Sequence, residues 1–132
     1  MAIATRRRAG RGEVRMTAGR LAEMSGAEAL WLLEGSARGR LVLLRRGEPV
    51  VRPAAHLDAR HLVVRAPVQA ASVPPAVTYQ VDDLPGSAVP GWSITVMGPA
   101  TEIAEPHEAA HCRRTLDGWV HGPHDTLLRI TP

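Results

Sequence analysis

The chain has 132 residues, enough for one domain with a substantial core, and 45% of them are hydrophobic. There is no Phe and a single Tyr, so the core must be aliphatic; all 16 basic residues are Arg, which excludes Schiff-base and P-loop lysine chemistry. One cysteine, Cys112, excludes an intrachain disulfide and a Cys-based zinc centre, and no apolar run reaches the roughly 18 residues that span a membrane.

The first 20 residues carry six Arg against Glu13, a net charge of +5, while the remainder is net −2. Residues 1–16 therefore read as a disordered, Arg-rich tail, and 17–132 as the folded domain. Such a tail suits contact with nucleic acid or an anionic membrane, but a solvated extension is the expected reading. With no hydrophobic signal segment behind these charges, the cytoplasm is the expected compartment.

Thr17 or Ser25 is placed to cap a helix over about 18–35, with Leu21, Met24, Trp31 and Leu32 on one stripe and Gly35 as the stop. Gly39–Arg45 is a short apolar strand, Arg46-Gly47-Glu48 a tight turn, and Pro49–His56 the second arm of a hairpin. Pro53 marks a bulge or an edge within that arm, because proline donates no ladder hydrogen bond. His61–Arg65 is a third strand, followed by a loop at 66–75.

Val77, Tyr79 and Val81 alternate with polar residues, and Trp92, Ile94 and Val96 repeat the period beyond a Gly/Pro/Ser loop. These runs form an antiparallel strand pair. Pro106 opens a helix over about 106–116, and Thr126–Ile130 is a sixth strand. The fold class is mainly β: a six-stranded antiparallel barrel, closed or nearly so, with flanking helices.

His107-Glu108-Ala109-Ala110-His111 fits the H-E-x-x-H spacing of zinc hydrolases. Arg114 stands where the longer motif needs Gly, and a barrel this small offers no metalloprotease substrate sheet, so the match reads as coincidence and no metal is expected. His121 and His124 lie in a loop beside Trp119, where solvation is the simpler reading than a ligand pocket. Arg65, at a strand end before a Pro-containing loop, is a candidate phosphate partner, although a surface Arg is the simpler account.

In order and spacing, these pieces resemble the pyridoxamine 5′-phosphate oxidase-like, FMN-binding split-barrel family, especially an actinobacterial branch. The pieces are Gly39-Arg40-Leu41, Gly47-Glu48-Pro49 leading to Pro53, Val64-Arg65, Val77–Asp83, Gly91-Trp92-Ser93 with Gly98, and Trp119 followed by Gly122-Pro123-His124-Asp125. The resemblance implies a homodimer with flavin sites across its interface. It places Pro53, Ala54, Ala55 and His56 along the flavin ring, Arg65, Ala66 and Gln69 at the phosphate, and Trp92, Ser93 and Trp119 around it. The implied activity is an FMN- or deazaflavin (F420)-dependent oxidoreductase acting on a small organic substrate. Where the family carries a Thr and then a Gly-Ser-Lys-like segment after the strand-three Arg, this chain has Ala66–Ala71, and His124 replaces an Arg. The alternative is a barrel that has lost its flavin and handles another small molecule without redox chemistry.

Overall fold

The computed structural model describes residues 2–8, 20–58, 61–83, 91–116 and 122–132. Its strands are β1 (Ala2–Arg8), β2 (Arg20–Glu23), β3 (Arg38–Arg45), β4 (Glu48–Asp58), β5 (Leu62–Ala66), β6 (Ala76–Asp83), β7 (Gly91–Glu102) and β8 (Thr126–Ile130). Its helices are α1 (Gly26–Glu34) and α2 (Pro106–Thr115), with one 3-10 turn at Ala70–Ser72.

The described strands form one antiparallel sheet in the order β2-β1-β7-β6-β3-β4-β5-β8, and a β7–β8 pairing closes its last six members into a barrel. Closure depends on the length of β7. Residues 92–99 pair with β6, while its other edge serves β1 over residues 91–96 and β8 over 100–102. At the changeover, Ala100 donates its N–H to Pro75 on the β6 side (2.9 Å), and the Pro99 carbonyl accepts from Thr131 on the β8 side (3.0 Å). Gly98 faces the end of the chain so closely that a Cβ would overlap the Thr131 carbonyl oxygen and lie 2.8 Å from its carbon.

Alternation sorts the side chains. Leu41 and Leu43, Val77, Tyr79 and Val81, and Ile94 and Val96 point into the barrel and are almost completely buried. β5 is buried on both faces: Leu62, Val64 and Ala66 enter the barrel, while Val63 lies under α2 with Ala55, Ile103, Cys112, Leu116 and Leu127. Its continuous apolar run thus has a physical cause.

The expected elements are present with three differences. The first helix begins at Gly26 instead of about 18: Ser25 caps it, accepting from Glu28 N at 3.1 Å, and Leu21 belongs to a strand. Residues 2–8, expected within a disordered tail, form a strand paired with β7; the charge of the segment obscured its Ala-Ile-Ala-Thr start. Residues 9–16 lie outside the described residues. The sheet also has eight strands, because β1 and β2 add to the edge of β7 that β8 leaves free, outside the six-stranded closure.

Gly98→Ala should lower stability by about 1–3 kcal/mol, the usual cost of forcing a methyl into filled space. Removing Thr131 and Pro132 should make the same substitution nearly neutral, which a double-mutant comparison of melting temperatures will measure.

Candidate functional site

β4 has 11 residues and β5 has five, and their pairing starts only at Ala55↔Arg65. The first half of β4 therefore has β3 as its ladder partner and a free opposite edge, where Pro53 lies. This agrees with the edge position expected of that proline. After Ala66 the chain leaves the sheet at Pro67, and the gap between early β4 and residues 67–72 forms the barrel mouth.

A cavity of about 200 Å³ occupies that gap, lined by Leu43, Arg45, Val50, Arg52, residues 67–69, Ser72 and His124. Its two guanidiniums come from the inward-facing rows. Leu41, Leu43 and Arg45 run along β3, and Val50, Arg52, Ala54 and His56 run along β4. The apolar lining is thus replaced by Arg where the barrel opens. Arg52 donates to the Val51 carbonyl (3.0 Å), and no ion pair to a described residue holds Arg45 or Arg52. Thr126 fastens the loop that forms the far wall by donating its hydroxyl to Val68 O at 2.5 Å. The donor set—two guanidiniums, a serine hydroxyl and an amide side chain—has the chemistry to hold a phosphate.

The proposed phosphate partner Arg65 is otherwise engaged. It makes a two-pronged contact with Asp125, Nε to Oδ1 at 2.9 Å and Nη2 to Oδ2 at 2.8 Å, and its side chain is 13% exposed. Arg113 approaches the same carboxylate at 3.6 Å and donates to the Asp125 backbone carbonyl. The Arg65 hydrogen bond holds the Asp125 carboxyl below its ordinary range, against the opposing effect of partial burial.

Of the other candidate residues, Gln69 lines the cavity and Pro53 is exposed on the outer surface. Ala54 is buried in the barrel, Ala55 under α2, and Ala66 in the core. His56 is 4% exposed and points inward. Its Nε2 is 3.0 Å from Leu33 O and its Nδ1 is 2.6 Å from the Tyr79 hydroxyl. A carbonyl only accepts, so Nε2 carries the hydrogen and Nδ1 accepts from Tyr79. Burial lowers the His56 pKa from its ordinary 6.5, partly countered by hydrogen bonds to Leu33 and Ser36, and burial raises the Tyr79 pKa. This neutral pair ties the end of α1 to the barrel interior. Gly39 makes room for it: a Cβ there would come within 2.6 Å of the Tyr79 hydroxyl.

Trp92 lines a separate cleft with Trp31, Leu32, Glu34, Gly35 and Asp83. That cleft lies toward the Arg38 end of β3, since Arg40 pairs with Gln80 and Trp92 with Asp83. Arg45 ends the same eight-residue strand, roughly 23 Å away at the usual rise. A single chain therefore does not bring Trp92 and Ser93 to Gln69. Trp119 and His121 lie outside the described residues. On α2, His107 and His111 are exposed, Glu108 pairs with Arg129, and no cluster able to hold a metal occurs among the described residues. Arg45 and Arg52 were missed by the sequence reading; the signal available for them was an arginine in each inward-facing alternation, at the end of the β3 row and between Val50 and Ala54 in the β4 row.

The family model for pyridoxamine 5′-phosphate oxidase matches residues 25–132. The uncharacterised protein Rv0080 of Mycobacterium tuberculosis is 35% identical, the match covering 83% of this chain and 79% of that protein. A putative pyridoxamine 5′-phosphate oxidase from Corynebacterium glutamicum has a similar solved structure, with a TM-score of 0.63, 23% identity, and coverage of 83% of this chain and 84% of that one. An FAD-binding protein from Mesorhizobium loti gives a TM-score of 0.58 at 25% identity, over 81% of this chain and 87% of that one.

Tyr79→Phe should cost about 1–2 kcal/mol, the consequence of leaving His56 Nδ1 buried without a donor, measured by denaturant unfolding. Because the folded state resists protonation of His56, the unfolded state binds more protons once pH falls below about 6.5. Stability should therefore decline on acidification from pH 7 to 5, and His56→Gln should flatten that slope in melting curves.

Proposed function

The chain belongs to the pyridoxamine 5′-phosphate oxidase family, and from that premise we propose that it binds a flavin-type cofactor at the barrel mouth and transfers hydride to a small organic substrate. The supporting observation is the mouth cavity, where Arg45 and Arg52 have no carboxylate partner among the described residues while Arg40, Arg65, Arg113 and Arg129 each have one. Both guanidiniums are exposed where they line the cavity, and two like charges facing one hollow suit an anionic ligand. The flavin-type fold of the Mesorhizobium loti neighbour is consistent with this reading.

In this mechanism Arg52 and Arg45 hold the cofactor phosphate, with Ser72 and Gln69 as neutral donors, and His124 stands at the rim. The bound cofactor, FMN or F420, supplies the hydride chemistry. The chain's own contribution is orientation and exclusion of water: Val50, Leu43 and Val68 form the dry floor beneath the donors. Asp125 neutralises Arg65, which does not line the cavity, so Arg45 and Arg52 are the arginines that face the ligand.

At about 200 Å³ the cavity is smaller than the roughly 300–1,000 Å³ of ordinary ligand sites. We therefore assign the remaining walls to a second copy of the chain, which could supply the distant Trp92. The outer face of the β3–β4 hairpin fits such an interface, since Leu44 is 66% and Val51 48% exposed. A barrel without flavin is the second reading; the Arg65–Asp125 pairing favours it, because that pairing occupies the strand-end arginine of the phosphate segment.

Titration of the purified protein with FMN and with F420, followed by absorbance and fluorescence, tests the proposal. Saturable binding is expected, with light scattering giving twice the chain mass. Arg52→Gln should weaken binding by about 10–100-fold, the worth of one charge-assisted contact, with little change in melting temperature. A protein that binds neither cofactor supports the second reading instead.

A further inference from the structure

The cleft at the far end of the barrel from the mouth is built with the opposite charge. It has a volume of about 430 Å³ and is lined by Trp31, Leu32, Glu34, Gly35, Asp83 and Trp92. That volume is in the usual range of small-molecule sites, and a single chain supplies it. Among the described residues its charged lining groups are two carboxylates, Glu34 and Asp83, and no ion pair to a described residue holds either. The neighbouring Asp82 does have a cation, Arg40, so the pairing stops one residue short of the cleft.

The helix adds to this charge. α1 ends at Glu34, Gly35 is its C-cap, and its last turn holds no basic residue. A helix C-terminus carries about half a negative charge and ordinarily attracts Lys, Arg or His. Glu34 has the wrong sign for that position, and a cation in the cleft relieves the repulsion. The lining is also aromatic. Trp92 and Asp83 are cross-strand partners on β7 and β6, so their side chains share one face of the sheet. Trp92 and Leu32 pack against the barrel core, whereas Trp31 leaves 70% of its surface exposed. Indole presents a more favourable face to a cation than any other side chain.

We propose that this cleft binds an organic cation, a quaternary or protonated amine on an apolar body. The ammonium head meets the indoles and the two carboxylates, and the body rests on Leu32. In the two-copy arrangement proposed above, Trp92 brings this cleft to the partner's mouth, so the cation is the class of small molecule admitted there. That role rests on the flavin-type reading, whereas the binding itself does not.

Calorimetric titration of the full chain with benzyltrimethylammonium tests the binding without any flavin, and benzyl alcohol is the uncharged control. The ammonium is expected to bind saturably and at least about tenfold tighter than the alcohol. Trp31→Leu should weaken it by about 5–30-fold, the worth of one cation–π contact, and leave the melting temperature unchanged because that side chain is exposed. The double variant Glu34→Gln, Asp83→Asn should lose most of the preference over the alcohol and melt no lower than the parent. No saturable binding, equal affinity for the alcohol in the parent, or ammonium affinity that survives both variants overturns the inference. Ammonium binding by a protein that takes up neither FMN nor F420 upholds the cleft and removes its role at the mouth together with the flavin-type reading. Flavin binding without ammonium binding overturns the cleft and leaves the flavin-type reading standing.

Discussion

β7 has to serve three strands, and the barrel exists because it does. A strand has two hydrogen-bonding edges; β6 takes one, and β1 and β8 divide the other between them. The division fixes where β8 docks, and β8 in turn holds β5 in place through five paired positions. Gly98 lies at the point of division, where the returning chain end crosses too close for any side chain. The mouth between β4 and the loop at 67–72 follows from the same closure. β5 is held against β8 and ends at Ala66, whereas β4 overruns it by the residues that precede its first β5 partner, Ala55.

Charge is distributed according to this geometry. On the walls, arginines meet carboxylates: Arg40 with Asp82, Arg129 with Glu108, and Arg65 and Arg113 with Asp125. At the mouth, among the described residues, they do not. Exposed ion pairs contribute little to stability, so the pairing matters less as reinforcement than as removal of competing anion sites. What remains is a cationic groove whose position is set by strand length and whose floor is aliphatic. The buried His56–Tyr79 pair has a different task. It closes the polar valences of the barrel interior while attaching α1, and it is neutral in the folded state. Both ring nitrogens of His56, which the resemblance placed along a flavin ring, have partners inside the protein.

The order of elements was legible because each carried its own local signal. The alternation of Val77–Asp83, the Pro106 start of α2, the Ser25 cap and the turn at Arg46-Gly47 all depend on nearest neighbours along the chain. The candidate site was legible in part. Gln69 lines the mouth cavity, whereas Arg65 is engaged by Asp125, which lies 60 positions away in sequence and is brought close only by the fold. Arg45 and Arg52 looked like ordinary strand arginines, since their shared inward direction depends on register and on where the barrel opens. Residues 2–8 were misread because high charge suggests disorder, whereas a free edge of β7 offers hydrogen bonds regardless of composition.

By itself, the sequence determined an aliphatic, mainly β domain with six barrel strands in a recognisable order, because periodicity, proline positions and caps are local properties. It also determined that any phosphate must be met by arginine, hydroxyl or backbone, because there is no lysine. Only the tertiary structure decided which arginines remain unpaired, that His56 turns inward to Tyr79, and that Trp92 and Gln69 occupy opposite ends of one barrel. Those outcomes depend on which distant side chains meet, and that is set by strand register and closure, quantities no local stretch of the chain contains.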